Sequence, residues 1–371
     1  MPRFLILFLA TLLLACRAEV PAPRPNIVLI SIDTLRSDHL PVYGYDGVDT
    51  PAIDAFAREA TLFRHAFAHV PMTLPSHASI FTGVIPPAHG VRNNVGYALG
   101  EEPVTLAAWL GDAGYDTAGF ASAYVLREAT GIARGFDHWD AEVEGVGSAE
   151  IGSLSRSALE TNRRALAWLD GRRAEDPFLL FVHYFEPHAP WDAPASYRAK
   201  AASDYDAEIA VADAAFGKLA DALRARGVWD DSLVVLLSDH GEGLGDHGEQ
   251  YHGIFVYREA IQVPLLVKAP GGTAAASVDE PVQLADVFPT IAEVVGRPAP
   301  AHLGGRSLFR RDGGERPIFA ESLLPRIHFG WSALRSIVRG SHHGIEAPTP
   351  ELYDLARDPA EKKNIVEEER R

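Results

Sequence analysis

Cysteine is almost missing: Cys16 is the only one in 371 residues, so no disulfide within the chain can brace the fold. Basic side chains are in deficit. There are 34 Lys and Arg against 50 Asp and Glu, a formal net charge of -16. That balance argues against broad nucleic-acid binding, which wants a basic face. It leaves room for a small anionic substrate, because a bound metal ion can reverse the local field. Long apolar runs are also scarce. After Ala15 none has the roughly 20 residues that a membrane-spanning helix needs, and internal repeats are absent.

The N-terminus is the one strongly apolar segment. Arg3 precedes an apolar run over residues 4–15, the layout of a signal peptide. Leu13-Leu14-Ala15-Cys16 resembles a bacterial lipobox, in which the cysteine becomes the lipidated N-terminus after cleavage. The expectation is a signal peptide over 1–15, a lipid anchor on Cys16, a Pro-rich tether over 16–25, and export to the cell envelope as a periplasmic, membrane-anchored lipoprotein.

From residue 26 onward, short β-branched apolar runs alternate with amphipathic stretches. Residues 26–31 (NIVLIS), 178–185 (FLLFVHYF), 233–237 (LVVLL) and 263–270 (VPLLVKAP) read as buried strands. Residues 50–60, 103–111, 157–171, 205–226 and 284–296 read as helices, the first with a Thr cap and then Pro. Residues 86–94 read as a polar loop, 114–122 as a turn into a strand, and 135–157 as irregular. This alternation indicates an α/β domain over 26–300 with a mostly parallel sheet. Beyond it, shorter β-like pieces predict a small antiparallel subdomain over 301–371.

Three of the strands end in polar residues: Asp33, the run up to His188, and Asp239-His240. In open α/β sheets, sites lie beyond the C-terminal ends of strands. Thr73 sits just before a proline at the start of a helical run, TLPSHASIFTG. A helix N-terminus offers free N–H groups and partial positive charge to a tetrahedral anion. A hydroxyl presented there is a candidate nucleophile toward phosphate or sulfate, whereas alone it would be a simple cap. Asp33, Thr73, Asp239 and His240 together can ligate one divalent cation, which would activate the hydroxyl. An oxygen- and nitrogen-rich set of this kind suits Ca, Mn, Mg or Zn. Among the accessory residues, His89 and Asn93 read as loop braces and His183 as a core histidine. His77 reads equally as helix packing or as catalytic. His247 and His252, in a Gly-rich loop beside Asp239, lean toward the site, and His342 and His343 read as surface residues.

With these motifs in hand, the chain resembles the sulfatase family of the alkaline-phosphatase superfamily. The resemblance rests on PNIVLISIDTLRSDHLPVYGY, TLPSHASIFTG, FVHYFEPHAPW, YDAEIAVAD, SDHGEGLGDHG, VPLLVKAPG, DVFPTI and ELYDLARDP, in that order from Pro25 to about Asn364. It implies an α/β/α sandwich and a metal-dependent ester hydrolase acting on a small anionic ester. It makes Asp33 the first Asp ligand, Asp239 and His240 the late ligand pair, and Thr73 the counterpart of the Cys or Ser that becomes formylglycine. His188 matches the His at the leaving group or transferred anion, and His252 falls near a Lys that contacts the anion. The departures are Thr73 itself, His77 for an Arg, Thr34 for a second Asp, and Ala121-Ser122-Ala123 where a Lys is expected. They draw the chain toward the single-metal phosphonate monoester hydrolases and the lipoteichoic-acid-synthase group. The expectation is Thr73 as direct nucleophile, with phosphorus esters favoured over sulfate esters. The alternatives are a true sulfuric ester hydrolase, a catalytically silent binding protein of the envelope, and a phospho-substituent transferase.

Overall fold

The computed structural model describes residues 24–143, 154–173, 175–272, 275–310 and 314–369. The expected signal peptide, Cys16 and tether residues 16–23 lie outside the described residues.

Among the described residues, nine strands form the main sheet. They are β1 (Ile27–Ile32), β2 (Thr61–Phe67), β3 (Asp116–Phe120), β4 (His138–Asp140), β5 (Phe178–Tyr184), β6 (Leu233–Ser238), β7 (Gln262–Lys268), β8 (Ala276–Val278) and β9 (Val282–Gln283). Their order is β4-β3-β5-β1-β6-β7-β2-β8, with β9 also pairing β2. All neighbours are parallel except β7, which runs antiparallel to both β6 and β2. This is the mostly parallel sheet expected from the sequence, with one reversed strand that periodicity does not reveal.

The strands are apolar on both faces because both faces are covered. Along β1, Ile27 and Leu29 join one core, and Val28, Ile30 and Ile32 join the other, as the two-residue period of a strand requires. The first core packs against the helix Thr73–Thr82 and the helix Val287–Val295. The second packs against Pro51–Ala57, Ala158–Gly171 and Asp204–Ala225. The result is a three-layer α/β/α sandwich.

A second sheet of β10 (Ile318–Ser322), β11 (Leu334–Arg339), β12 (His342–Glu346) and β13 (Glu351–Asp354) is antiparallel throughout. Burial alternates along β11, so one face is solvated and the other packs on Phe67, Val256 and Ile261 of the main unit. Among the described residues, no helix is long and apolar enough to cross a membrane.

Several local expectations need correction. β2 was not expected, because Arg64 and His65 interrupt its apolar pattern. β4 lies inside the stretch read as irregular, and residues 86–94 open with a short helix, Pro86–His89. His343 is not a surface residue: it is fully buried, and its Nδ1 lies 2.5 Å from Glu361 Oε1.

The consequence for function is geometric. Ile32 of β1 is level with Tyr184 of β5 and with Ser238 of β6. The residues that follow these strands therefore emerge side by side at one sheet edge, and the chain leaving the C-terminal end of β2 arrives at the same edge.

Candidate active site

Asp33 follows β1 and Asp239-His240 follow β6, and all three are fully buried. Thr73 is the first residue of its helix, directly after the cap Met72, and is 2% exposed. Ser76 on the same helix donates to the Asp239 carbonyl at 2.6 Å, which ties the helix start to the end of β6. Thr34, between β1 and the next turn, has φ +54. That backbone is costly for a β-branched residue, and it brings the Thr34 N–H to 3.4 Å from Asp239 Oδ1.

Ligand atoms of Asp33, Asp239 and His240 all lie within 4.8 Å of one another. His240 donates from Nδ1 to the Gly241 carbonyl at 2.9 Å, which leaves Nε2 as a lone pair. That lone pair lies 3.5 Å from Asp33 Oδ1, 3.5 Å from Asp239 Oδ2 and 3.4 Å from Thr73 Oγ1. Four electron-rich atoms thus face one point. Both Asp33 oxygens and Asp239 Oδ2 are buried with no hydrogen-bond donor among the described residues. Burial pushes both carboxyls above the usual range, and the Asp33 charge raises Asp239 further. Burial also keeps the His240 imidazole neutral, with the charge of His252 adding to the effect. Such an arrangement is unfavourable unless a cation sits among the donors. Donors about 2.0–2.6 Å from one ion lie roughly 3–4 Å from each other, so the residues fit a divalent metal.

Above this cluster a cavity of about 490 Å³ opens on Asp33, Thr73, Asn94, His188 and His252. His188 donates from Nδ1 to the Ala189 carbonyl at 2.6 Å and stacks on Phe185, 4.3 Å between ring centroids. Burial lowers its pKa to about 4. His252 sits 4.5 Å from the His240 ring and donates from Nδ1 to Glu242 Oε1 at 3.0 Å. Burial opposes its charged form, but the Glu242 carboxylate, as charge and as hydrogen-bond partner, outweighs it and raises the pKa.

Not every accessory histidine reaches the cavity. His77 is fully buried, donates from Nδ1 to the Thr73 carbonyl at 2.8 Å, and has Nε2 3.0 Å from Ser31 Oγ. Both ring nitrogens are therefore engaged in holding the helix start. His247 turns away, toward Glu259 and Glu361. His89 braces its loop through Ser79 at 2.9 Å. Two residues gain a place that their sequence context hides. His183 accepts from the Ser122 N–H at 3.4 Å and directs Nε2 to 3.4 Å from Asp33 Oδ2, so it is more than a satisfied core histidine. Asn94 accepts from the Leu74 N–H at 2.8 Å beside Thr73. The inward phase of His183 in β5 was the available signal for the first; nothing local marks the second.

Compared with known families, residues 25–297 match the sulfatase family model, and residues 245–371 match the C-terminal model of N-sulphoglucosamine sulphohydrolase. The chain belongs to the sulfatase family. It is an ester hydrolase of that family, and its sulfatase fold extends over nearly all the described residues. An arylsulfatase of Clostridium perfringens is 26% identical, with 93% of this chain and 91% of that protein aligned. The phosphonate monoester hydrolase of Agrobacterium radiobacter shares the fold with a TM-score of 0.78 and 24% identity, over 93% of this chain and 92% of the other. That of Silicibacter pomeroyi follows at 0.76 and 22% identity, over 93% and 91%.

The sulfatase site yields a direct expectation about metal. Elemental analysis of the purified protein should find about one divalent ion per chain, and the Asp239→Ala variant should lose it while keeping its circular dichroism spectrum. Full retention of the ion by that variant contradicts the assignment of these donors.

Proposed function

We propose that this sulfatase-family hydrolase uses the Thr73 hydroxyl itself as the nucleophile, and that it turns over phosphorus esters faster than sulfate esters. One observation carries the reading: Thr73 Oγ1 stands at a buried helix start, lines the cavity, and lies 3.4 Å from His240 Nε2. Asp33, Asp239 and His240, with Thr73 Oγ1, would hold the divalent ion. When bound, it supplies positive charge that favours the alkoxide of Thr73 and offsets charge on the transferred group. The side chains do the rest. His252, its pKa raised by Glu242, faces the anion. His188, with Nδ1 occupied by the Ala189 carbonyl, directs Nε2 as the group that meets the leaving oxygen. His77 fixes the helix start from behind and holds Thr73 in place.

The preference for phosphorus follows from how the intermediate must leave. A formylglycine hydrate carries a second hydroxyl and can expel sulfate by collapsing to an aldehyde. The Thr73 oxygen sits on an ordinary carbon and has no such exit. Its ester must be opened by water at the central atom. Phosphorus accepts that in-line attack, with charge spread over its equatorial oxygens, whereas an alkyl sulfate on Thr73 would persist. The names of the two phosphonate monoester hydrolases that share the fold accord with this, while that of the Clostridium arylsulfatase favours a true sulfuric ester hydrolase.

The place of action belongs to the same reading. We propose that Cys16 is lipidated and anchors the enzyme in the cell envelope, facing the periplasm. The Cys16→Ser variant should lose fatty-acid labelling and move to the soluble fraction; labelling that survives the substitution contradicts the anchor.

A panel of nitrophenyl sulfate, phosphate monoester, phosphodiester and phosphonate monoester, each with several divalent metals, tests the chemistry. The highest kcat/KM should fall on a phosphorus ester, and Thr73→Ala should lower its kcat by about three orders of magnitude or more. A Thr73-dependent aryl sulfate activity above that of every phosphorus ester would overturn the exit argument.

A further inference from the structure

The motif ELYDLARDP and the turn that follows it take no part in the chemistry above, yet they reach the loop that carries His252. Glu361 has φ +53 without being glycine and is only 2% exposed. Such strain persists only where surrounding contacts hold it. Besides the bond from its own N–H to the Asp358 carbonyl at 3.1 Å, three contacts reach other elements. Oε2 accepts from the Arg258 N–H at 2.7 Å, Oε1 lies 2.5 Å from His343 Nδ1, and the carbonyl accepts from His247 Nε2 at 3.1 Å. Arg258 also donates from Nη1 to the Pro359 carbonyl at 2.8 Å.

These bonds converge on the active-site loop of residues 241–253 from both ends. At its tip, His247 donates to Glu259 Oε1 at 2.6 Å and stacks on Tyr257 at 3.8 Å. At its root, the Gly241 N–H donates to the Ala260 carbonyl at 2.9 Å. A Cβ at Gly241 would lie 1.9 Å from the Glu259 carbonyl oxygen, so the root is pressed against the short helix Arg258–Ile261. Inside the loop, the Gly243 N–H reaches the Tyr251 carbonyl at 2.6 Å and Glu242 holds His252. Tip and root are both referenced to a helix whose first N–H is held by Glu361.

We infer that Glu361 is a positioning residue for His252: the C-terminal turn fixes the Arg258–Ile261 helix and His247, and so sets the loop that presents His252 to the substrate anion. This rests on the role given to His252 under the proposed function.

The test compares Glu361→Ala and Glu361→Gln in the wild-type and His252→Ala backgrounds of the full chain. Two readouts are used: hydrogen–deuterium exchange of residues 241–253, and kinetics with bis(nitrophenyl) phosphate. Glu361→Ala should speed exchange in that segment while the main sheet stays protected. It should raise KM roughly tenfold with a much smaller change in kcat, and add nothing further once His252 is Ala, as two residues acting through one contact are non-additive. Glu361→Gln keeps an acceptor for the Arg258 N–H and should restore both properties. Unchanged exchange in 241–253, exchange raised across the whole chain, or a full Glu361→Ala effect persisting in the His252→Ala background would each overturn the inference. A wild-type chain inert toward every ester would instead refute the proposed function, while the exchange data still decide whether Glu361 holds the loop.

Discussion

Three buried carboxylate oxygens that accept no hydrogen bond among the described residues, both of Asp33 and Oδ2 of Asp239, and a histidine lone pair aimed at the same point set the terms for the rest of this molecule. No Lys or Arg forms an ion pair with Asp33 or Asp239 among the described residues, burial keeps the nearby His183 and His240 rings neutral, and the Nδ1 proton of His240 is committed to the Gly241 carbonyl. In an interior of low dielectric this costs several kcal/mol unless positive charge is supplied. The sheet register, the strained Thr34 backbone and the Ser76 tie to Asp239 all maintain the arrangement instead of relaxing it. A divalent ion is the species whose charge and size match that point.

Around this centre the helix start places a hydroxyl where the family's formylglycine would stand. Under the proposed mechanism, that one residue changes how an intermediate departs while leaving the attack geometry available. The other departures are consistent with a site rebuilt around fewer ligands. Thr34, where a second Asp is expected, turns a backbone N–H toward Asp239, and its hydroxyl makes no hydrogen bond among the described residues. His252, where a Lys is expected nearby, donates to Glu242, whose carboxylate raises its pKa against the opposing effect of burial.

The fold class was readable because β1, β5 and β6 are apolar on both faces, a pattern that only a covered parallel sheet explains. β2 was not, because Arg64 and His65 break its pattern and its identity depends on pairing with β7, a contact distant in sequence. The convergence of Asp33, Thr73, Asp239 and His240 was readable because each follows a strand or opens a helix. His183 was misjudged for the same reason that β5 was recognised: a histidine inside an apolar run looks like core until the neighbouring strand places Asp33 beside it. Glu361 carries no local signal at all. Its partners, Arg258, His343 and His247, meet it only through the docking of the second sheet.

The central claim is that Thr73 forms a covalent ester with the transferred group. Stereochemistry at phosphorus tests it most directly, using a phosphorothioate diester of known configuration hydrolysed in isotopically labelled water. Two successive in-line displacements, first by Thr73 and then by water, predict net retention of configuration. Net inversion would mean that water attacks the substrate directly, and it would contradict the account.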